Sequence, residues 1–161
     1  MRLAGMNKND FANGKNVCVS LFVQGCPHHC KGCHNPETWN FEGGVPTPSD
    51  IRGQIIKAIS ANGIERNFSV LGGEPLCKEN IEGVDNIITG VRTAYPQIKI
   101  FLWTGYTLEE LQSQSDNKYI QNILNHIDVL IDGRYIEEQR DITLELRGST
   151  NQRILYKGID F

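Results

Sequence analysis

The stretch Val17-Cys18-Val19-Ser20-Leu21-Phe22-Val23-Gln24-Gly25-Cys26-Pro27-His28-His29-Cys30-Lys31-Gly32-Cys33-His34-Asn35 decides how the rest of the chain is read. Val17 to Val23 is an apolar run that reads as a buried strand. Three cysteines follow it within eight residues, spaced C-x3-C-x2-C. Three thiolates on one loop at a strand's end can converge on a single metal centre, and thiolates are the soft ligands that select iron–sulfur clusters, zinc or copper. A 4Fe-4S cluster usually takes four cysteines, one per iron, so three local cysteines would leave one iron open to a small molecule. Two other readings stand beside this one. With His28, His29 or His34 as fourth ligand, the same cysteines could build a structural Cys3His zinc site. Cys30-Lys31-Gly32-Cys33 also has the spacing of a redox dithiol, which has no use for Cys26.

The 161 residues are most simply one domain, 1–161, burying roughly 70% of the unfolded surface. A formal charge of −3 leaves no electrostatic footprint for nucleic acid or an anionic membrane. No apolar run approaches the roughly 20 residues that span a bilayer. The first ten residues, Met1 to Asp10, lack the apolar core of a signal peptide. Five cysteines, an odd number with three clustered, argue against a secreted disulfide framework and for a cytoplasmic chain. Cys18 and Cys77 read as buried free thiols.

Along the chain, apolar strands alternate with amphipathic helices. Strands are expected at Val17–Val23, Asn67–Leu71, Ile98–Trp103 and Ile127–Ile131. Thr47 suits the N-cap of a first helix, with Pro48 in its first turn and Ile51, Ile55, Ile56 and Ile59 on its buried face. Asn62-Gly63 stops it. A second helix runs from about Asn80 to Ala94, and a third helical stretch from about Asn117 to His126 presents Ile120, Ile123 and Leu124. Thr107-Leu108-Glu109-Glu110 has the form of a capping box. Ile142–Leu146 and Arg153–Tyr156 could add edge strands. This alternation argues for an α/β fold with a mostly parallel, curved sheet and right-handed crossovers. A closed eight-stranded barrel needs about 250 residues, so an open, partial (βα) barrel is expected.

Ligands of such sheets sit beyond the C-terminal ends of the strands. The cysteine loop, Gly72-Gly73-Glu74-Pro75, Thr104-Gly105 and Asp132-Gly133-Arg134 each follow a strand, so all four should project from one edge. Trp39 and Phe41 should pack over the cysteine loop or cover the core. Thr104 is placed to offer a hydroxyl straight off a strand end. Asp132 and Arg134 could face a ligand or close the edge as a salt bridge. His126 reads as a structural group at a helix end.

The C-x3-C-x2-C loop and the Gly-Gly-Glu-Pro turn together resemble the radical S-adenosylmethionine (SAM) superfamily, which the zinc and dithiol readings do not explain. Within it, several runs are similar to the activating family of anaerobic (class III) ribonucleotide reductases. They are Asp10 to Gly14, Phe22 to Cys26, Cys30 to Asn35, Leu102 to Tyr106, Val129 to Tyr135 and, most specifically, Arg147-Gly148-Ser149-Thr150-Asn151-Gln152-Arg153. Gly32 stands where the wider superfamily often has an aromatic residue. Lys15 and Glu74 replace a common Pro and a frequent Asp, and a tail, Lys157 to Phe161, follows.

The resemblance implies a half-barrel and a 4Fe-4S cluster on Cys26, Cys30 and Cys33. It also implies SAM bordered by Gly32, Cys33, His34, Gly73 and Glu74, with Thr104 added from its strand-end position. The implied activity is hydrogen abstraction from a glycine of the reductase's large catalytic subunit, driven by an external one-electron donor such as flavodoxin. No side chain is assigned a catalytic role. A pyruvate formate-lyase activating enzyme and a 7-carboxy-7-deazaguanine synthase share the superfamily's motifs. Neither accounts for the Arg147 to Arg153 run.

Overall fold

A computed structural model describes Met1–Phe161. Its strands are β1 (Arg2–Asp10), β2 (Cys18–Gln24), β3 (Val45–Pro46), β4 (Asn67–Gly72), β5 (Ile100–Trp103), β6 (Val129–Asp132) and β7 (Arg153–Tyr156). Its helices are α1 (Ile51–Ile59), α2 (Ile81–Ala94), α3 (Leu108–Gln112) and α4 (Lys118–His126). The strands form one open sheet in the order β3-β1-β2-β4-β5-β6-β7. Its centre, β2-β4-β5-β6, is parallel, in the register Leu21↔Val70, Val70↔Leu102, Leu102↔Leu130. The flanking strands run antiparallel: β1 to β2 and β3, and β7 to β6.

Side chains alternate across a strand, so each strand contributes to two faces. Val19, Leu21 and Val23 of β2 join Phe68, Val70, Ile100, Leu102 and Leu130 against the helices. The helices return Ile55 and Ile59, Val84, Ile88 and Val91, and Ile120 and Ile123. Each such side chain contributes about 1.5–3 kcal/mol by leaving water. The opposite face carries Cys18, Ser20 and Ser69, all fully buried, and then Phe101, Val129 and Ile131. The Phe11–Asn16 loop closes this face at the N-terminal strand ends. There Ser69 Oγ donates to the Asn13 carbonyl at 2.5 Å, and Gly14 packs so close to Cys18, Ser69 and Phe101 that no Cβ fits. At the C-terminal strand ends the face stays open.

One element was missed and two expectations need correction. Met1 to Asp10, to which the sequence pattern assigns no element, holds β1. Only Leu3 and Asp10 of that strand are buried, and two register shifts interrupt its ladder, so it owes its form to backbone pairing with β2 rather than to an apolar face. Ile142–Leu146 forms no strand. Its segment is a looped strap, tied by a single Arg140↔Ser149 bridge. α1 starts at Ile51, not after Thr47, because Val45–Pro46 is drawn into an antiparallel pair with Arg2 and Leu3. The Thr47 hydroxyl donates instead to the Met1 carbonyl at 2.9 Å. Elsewhere the elements fall where the pattern places them, including the α3 capping box between Thr107 and Glu110.

Candidate cofactor site

β2 ends at Gln24, and its buried side-chain amide fixes the loop that follows, donating to the Glu37 carbonyl at 2.9 Å and the Asn40 carbonyl at 2.8 Å. Gly25 then turns at φ +94, its N–H donating to the Thr38 carbonyl at 2.8 Å. The Phe41 ring occupies the space a Cβ at Gly25 would need. The His29 ring stacks on Trp39 at 4.8 Å between centroids. Trp39 and Phe41 therefore do pack against the cysteine loop.

Cys26, Cys30 and Cys33 are unpaired, half-buried thiols on the wall of a cleft of about 820 Å3. Gly32, His34, Gly73, Glu74 and Thr104 line the same cleft, so every residue singled out for metal or cofactor binding meets there. Burial pushes the Cys26 thiol up to about 11 and raises that of Cys30 as well, so a metal taking these ligands displaces their protons. No three His, Cys, Asp or Glu side chains are drawn into one closed metal-binding group. A lone zinc requires four donors about 2.0–2.3 Å from a single point, whereas a cluster distributes its thiolates over separate irons. The donor set, three soft thiolates with no fourth cysteine on the loop, fits the cluster. His28 and His29, two of the histidines a zinc site would draw on, are otherwise engaged.

The His28 ring is engaged by Glu74. Its Nε2 lies 2.8 Å from Glu74 Oε2, with both side chains almost wholly buried. The same carboxylate accepts from the Gly105 N–H at 2.7 Å, the Thr104 hydroxyl at 2.8 Å and the Leu76 N–H at 2.8 Å. The turn itself is pressed onto the cysteine loop. Glu74 N–H donates to the Gly25 carbonyl at 2.8 Å, and a Cβ at Gly73 would collide with the Gly25 backbone. The buried Asn80 amide, at the start of α2, donates to the Gln24 and Glu74 carbonyls, both at 3.0 Å. Thr104 thus lines the cleft as expected, but its hydroxyl is directed to Glu74.

The far wall is the strap from Arg134 to Gln152. Trp103 Nε1 donates to the Leu146 carbonyl at 2.8 Å, and the Glu137 carboxylate lies directly over Gly32. The Arg147 to Arg153 run shapes this wall. Gln152 donates to the Gly133 carbonyl at 2.9 Å and accepts from the Gly148 N–H at 2.9 Å, while Asn151 donates to the Arg134 carbonyl at 2.8 Å. Asp132 is fully buried and pairs with Arg153 rather than with Arg134, which is exposed on the cleft. His126 is structural, its Nδ1 2.7 Å from the Asn122 carbonyl. Gln24 and Asn80 escaped the sequence reading, and His28 entered it only as a possible zinc ligand, since each acts through a partner between 13 and 56 positions away.

A family model described as a 4Fe-4S single cluster domain matches residues 12–155. The chain is 41% identical over 146 residues to the anaerobic ribonucleoside-triphosphate reductase-activating protein of Vibrio cholerae, covering 90% of this chain and 91% of that one. It belongs to that activating family. The protein of the same name from Escherichia coli K12 is 35% identical, with 89% and 90% of the two chains covered. That of Enterobacteria phage T4 is 36% identical, with 90% and 87% covered. Membership gives the cysteine loop its setting, because an iron–sulfur cluster is the group this family's domain is built for. No helix of the chain is long and apolar enough to cross a membrane.

Proposed function

We propose that this chain is a radical-SAM activase that generates a glycyl radical on the large catalytic subunit of an anaerobic ribonucleotide reductase. Cys26, Cys30 and Cys33 would hold a 4Fe-4S cluster, leaving one iron without a protein ligand to bind the amino and carboxylate groups of SAM. The observation that carries this reading is the meeting of three unpaired thiols and a Gly-Gly-Glu turn in one cleft at the open end of the sheet. When bound, cluster and SAM supply a 5′-deoxyadenosyl radical once an external donor such as flavodoxin delivers one electron.

The chain's own residues bind and orient. Gly32, Cys33 and His34 border the SAM, the Gly72-Gly73-Glu74 turn holds its amino end, and Thr104 closes the wall beneath. The open sheet acts as a half-barrel, which suits a protein loop as substrate. A glycine on a partner's surface can enter a cleft that a small-molecule enzyme would have to cover, and the partner completes the exclusion of water.

Anaerobic incubation with SAM, a low-potential reductant and the large subunit, followed by electron paramagnetic resonance, tests the proposal. A glycyl doublet on the reductase, with one 5′-deoxyadenosine per radical, is the expected result. Cluster-loaded protein that cleaves SAM yet leaves the reductase silent would point to a different substrate.

A further inference from the structure

Glu74 is the most heavily hydrogen-bonded carboxylate in the cleft, and all of its partners belong to the protein. An ionised carboxylate offers about four acceptor sites. Oε1 receives the Leu76 N–H and the Thr104 hydroxyl, and Oε2 receives the Gly105 N–H and faces His28 Nε2, all within 2.7–2.8 Å. With the residue 1% exposed, there is no free lone pair for a ligand's N–H unless one of these bonds breaks.

Of the four donors to Glu74, only His28 comes from the cysteine loop, where it lies between Cys26 and Cys30. Packing holds its ring as well. Tyr106 meets it edge-on at 4.7 Å, and the ring fills the space that a Cβ at Gly105 would need. Moving the cysteine loop therefore moves His28, and with it the carboxylate that aligns the turns after β4 and β5.

We propose that His28 is a positioning residue that couples the cysteine loop to the cofactor-binding turn through Glu74. The proposal rests on the SAM reading above and refines it. Its physical content is preorganisation: the turn is held at a fixed offset from the cluster ligands, so the ligand's methionyl end meets the turn and the open iron together.

The test is SAM affinity of the cluster-loaded protein, read from the change SAM causes in the reduced cluster's paramagnetic resonance spectrum. His28→Ala should keep about four irons per chain and bind SAM about ten-fold more weakly, the size expected for one lost hydrogen bond to a buried charged group. His28→Gln, whose amide can still donate to Glu74, should restore most of that loss. Combined with Glu74→Gln, His28→Ala should weaken binding no further than the worse single change, because both break one linkage.

Wild-type affinity in His28→Ala, or losses that multiply in the double variant, would overturn the coupling. Loss of iron from His28→Ala would overturn it differently, by making His28 a ligand. Cluster-loaded wild type that binds no SAM would instead remove the functional reading on which the proposal rests.

Discussion

The Arg153 guanidinium clasps the fully buried Asp132 carboxylate, with Nε 2.9 Å from Oδ1 and Nη2 2.5 Å from Oδ2. The same guanidinium reaches Glu109 on α3 at 3.0 and 2.7 Å, while Asp132 Oδ2 also accepts the Leu108 N–H at 2.7 Å. One arginine thus joins the last strand, the end of β6 and the start of α3. It is also the closing residue of the Arg147 to Arg153 run, whose earlier members hold the strap. That run is therefore an anchor for the far wall of the cleft.

Removing this anchor should be costly. Arg153→Ala strands a buried carboxylate, and breaking a buried pair on one side costs several kcal/mol. Since the arginine is itself 41% exposed, a loss of about 2–3 kcal/mol is expected, measured by urea unfolding of the iron-free chain. Glu109, held down to about 2 by Arg153, should return toward its ordinary value in the variant, an effect visible by carboxyl NMR titration.

Much of this architecture is legible locally, and the exceptions have a common cause. Ile81, Val84, Ile87, Ile88 and Val91 recur at helical spacing because one stripe of α2 must be buried, and all five are. The cysteine loop and the Gly-Gly-Glu turn are recognisable because their chemistry needs those residue types close together in sequence. β1 leaves little trace, since a strand made by backbone pairing needs no apolar alternation. Ile142-Thr143-Leu144-Glu145-Leu146 does alternate, yet Leu146 packs with the Phe101, Val129 and Ile131 cluster from a loop, not from the sheet. The link between His28 and Glu74 spans 46 positions, and nothing near either residue announces it.

Each of Cys26→Ala, Cys30→Ala and Cys33→Ala should abolish reductive SAM cleavage, because each removes one of the three thiolates available to the cluster. The variants should also purify without the brown colour of the reconstituted protein. Cys18→Ala and Cys77→Ala should retain both colour and cleavage, since these thiols are buried and do not line the cleft. Retained 5′-deoxyadenosine production in any of the first three would refute that residue's place as a ligand.

Gly32 combines two requirements in one residue. It turns at φ +72, and a Cβ there would run into the Glu137 carboxylate. Gly32→Ala should therefore cost about 1–2 kcal/mol from backbone strain alone, with a steric share added. Iron content after anaerobic reconstitution should fall, since the strained residue sits immediately before Cys33. Adding Glu137→Ala should recover the steric share and leave the backbone share, which urea unfolding of the two variants will separate.

Asp128, which anchors the start of β6, should contribute to acid sensitivity. Burial pushes its carboxyl up, but the Ile100 N–H at 2.9 Å, Arg92 at 2.5 Å and Lys99 at 3.1 Å outweigh that and hold it below its ordinary 3.8. A depressed carboxyl contributes stability that is fully present above its unfolded value and is lost as pH falls through its folded one. Asp128→Asn should thus be less stable than wild type by about 2 kcal/mol at neutral pH, the scale of hydrogen bonds to a charged group. The gap should narrow as the pH drops below 3.8, where wild type begins to lose the same charge. Urea unfolding midpoints of both proteins between neutral pH and about pH 3 measure this convergence. A gap that stays constant across that range would mean that the ion pairs, rather than the neutral hydrogen bonds Asn can keep, contribute nothing.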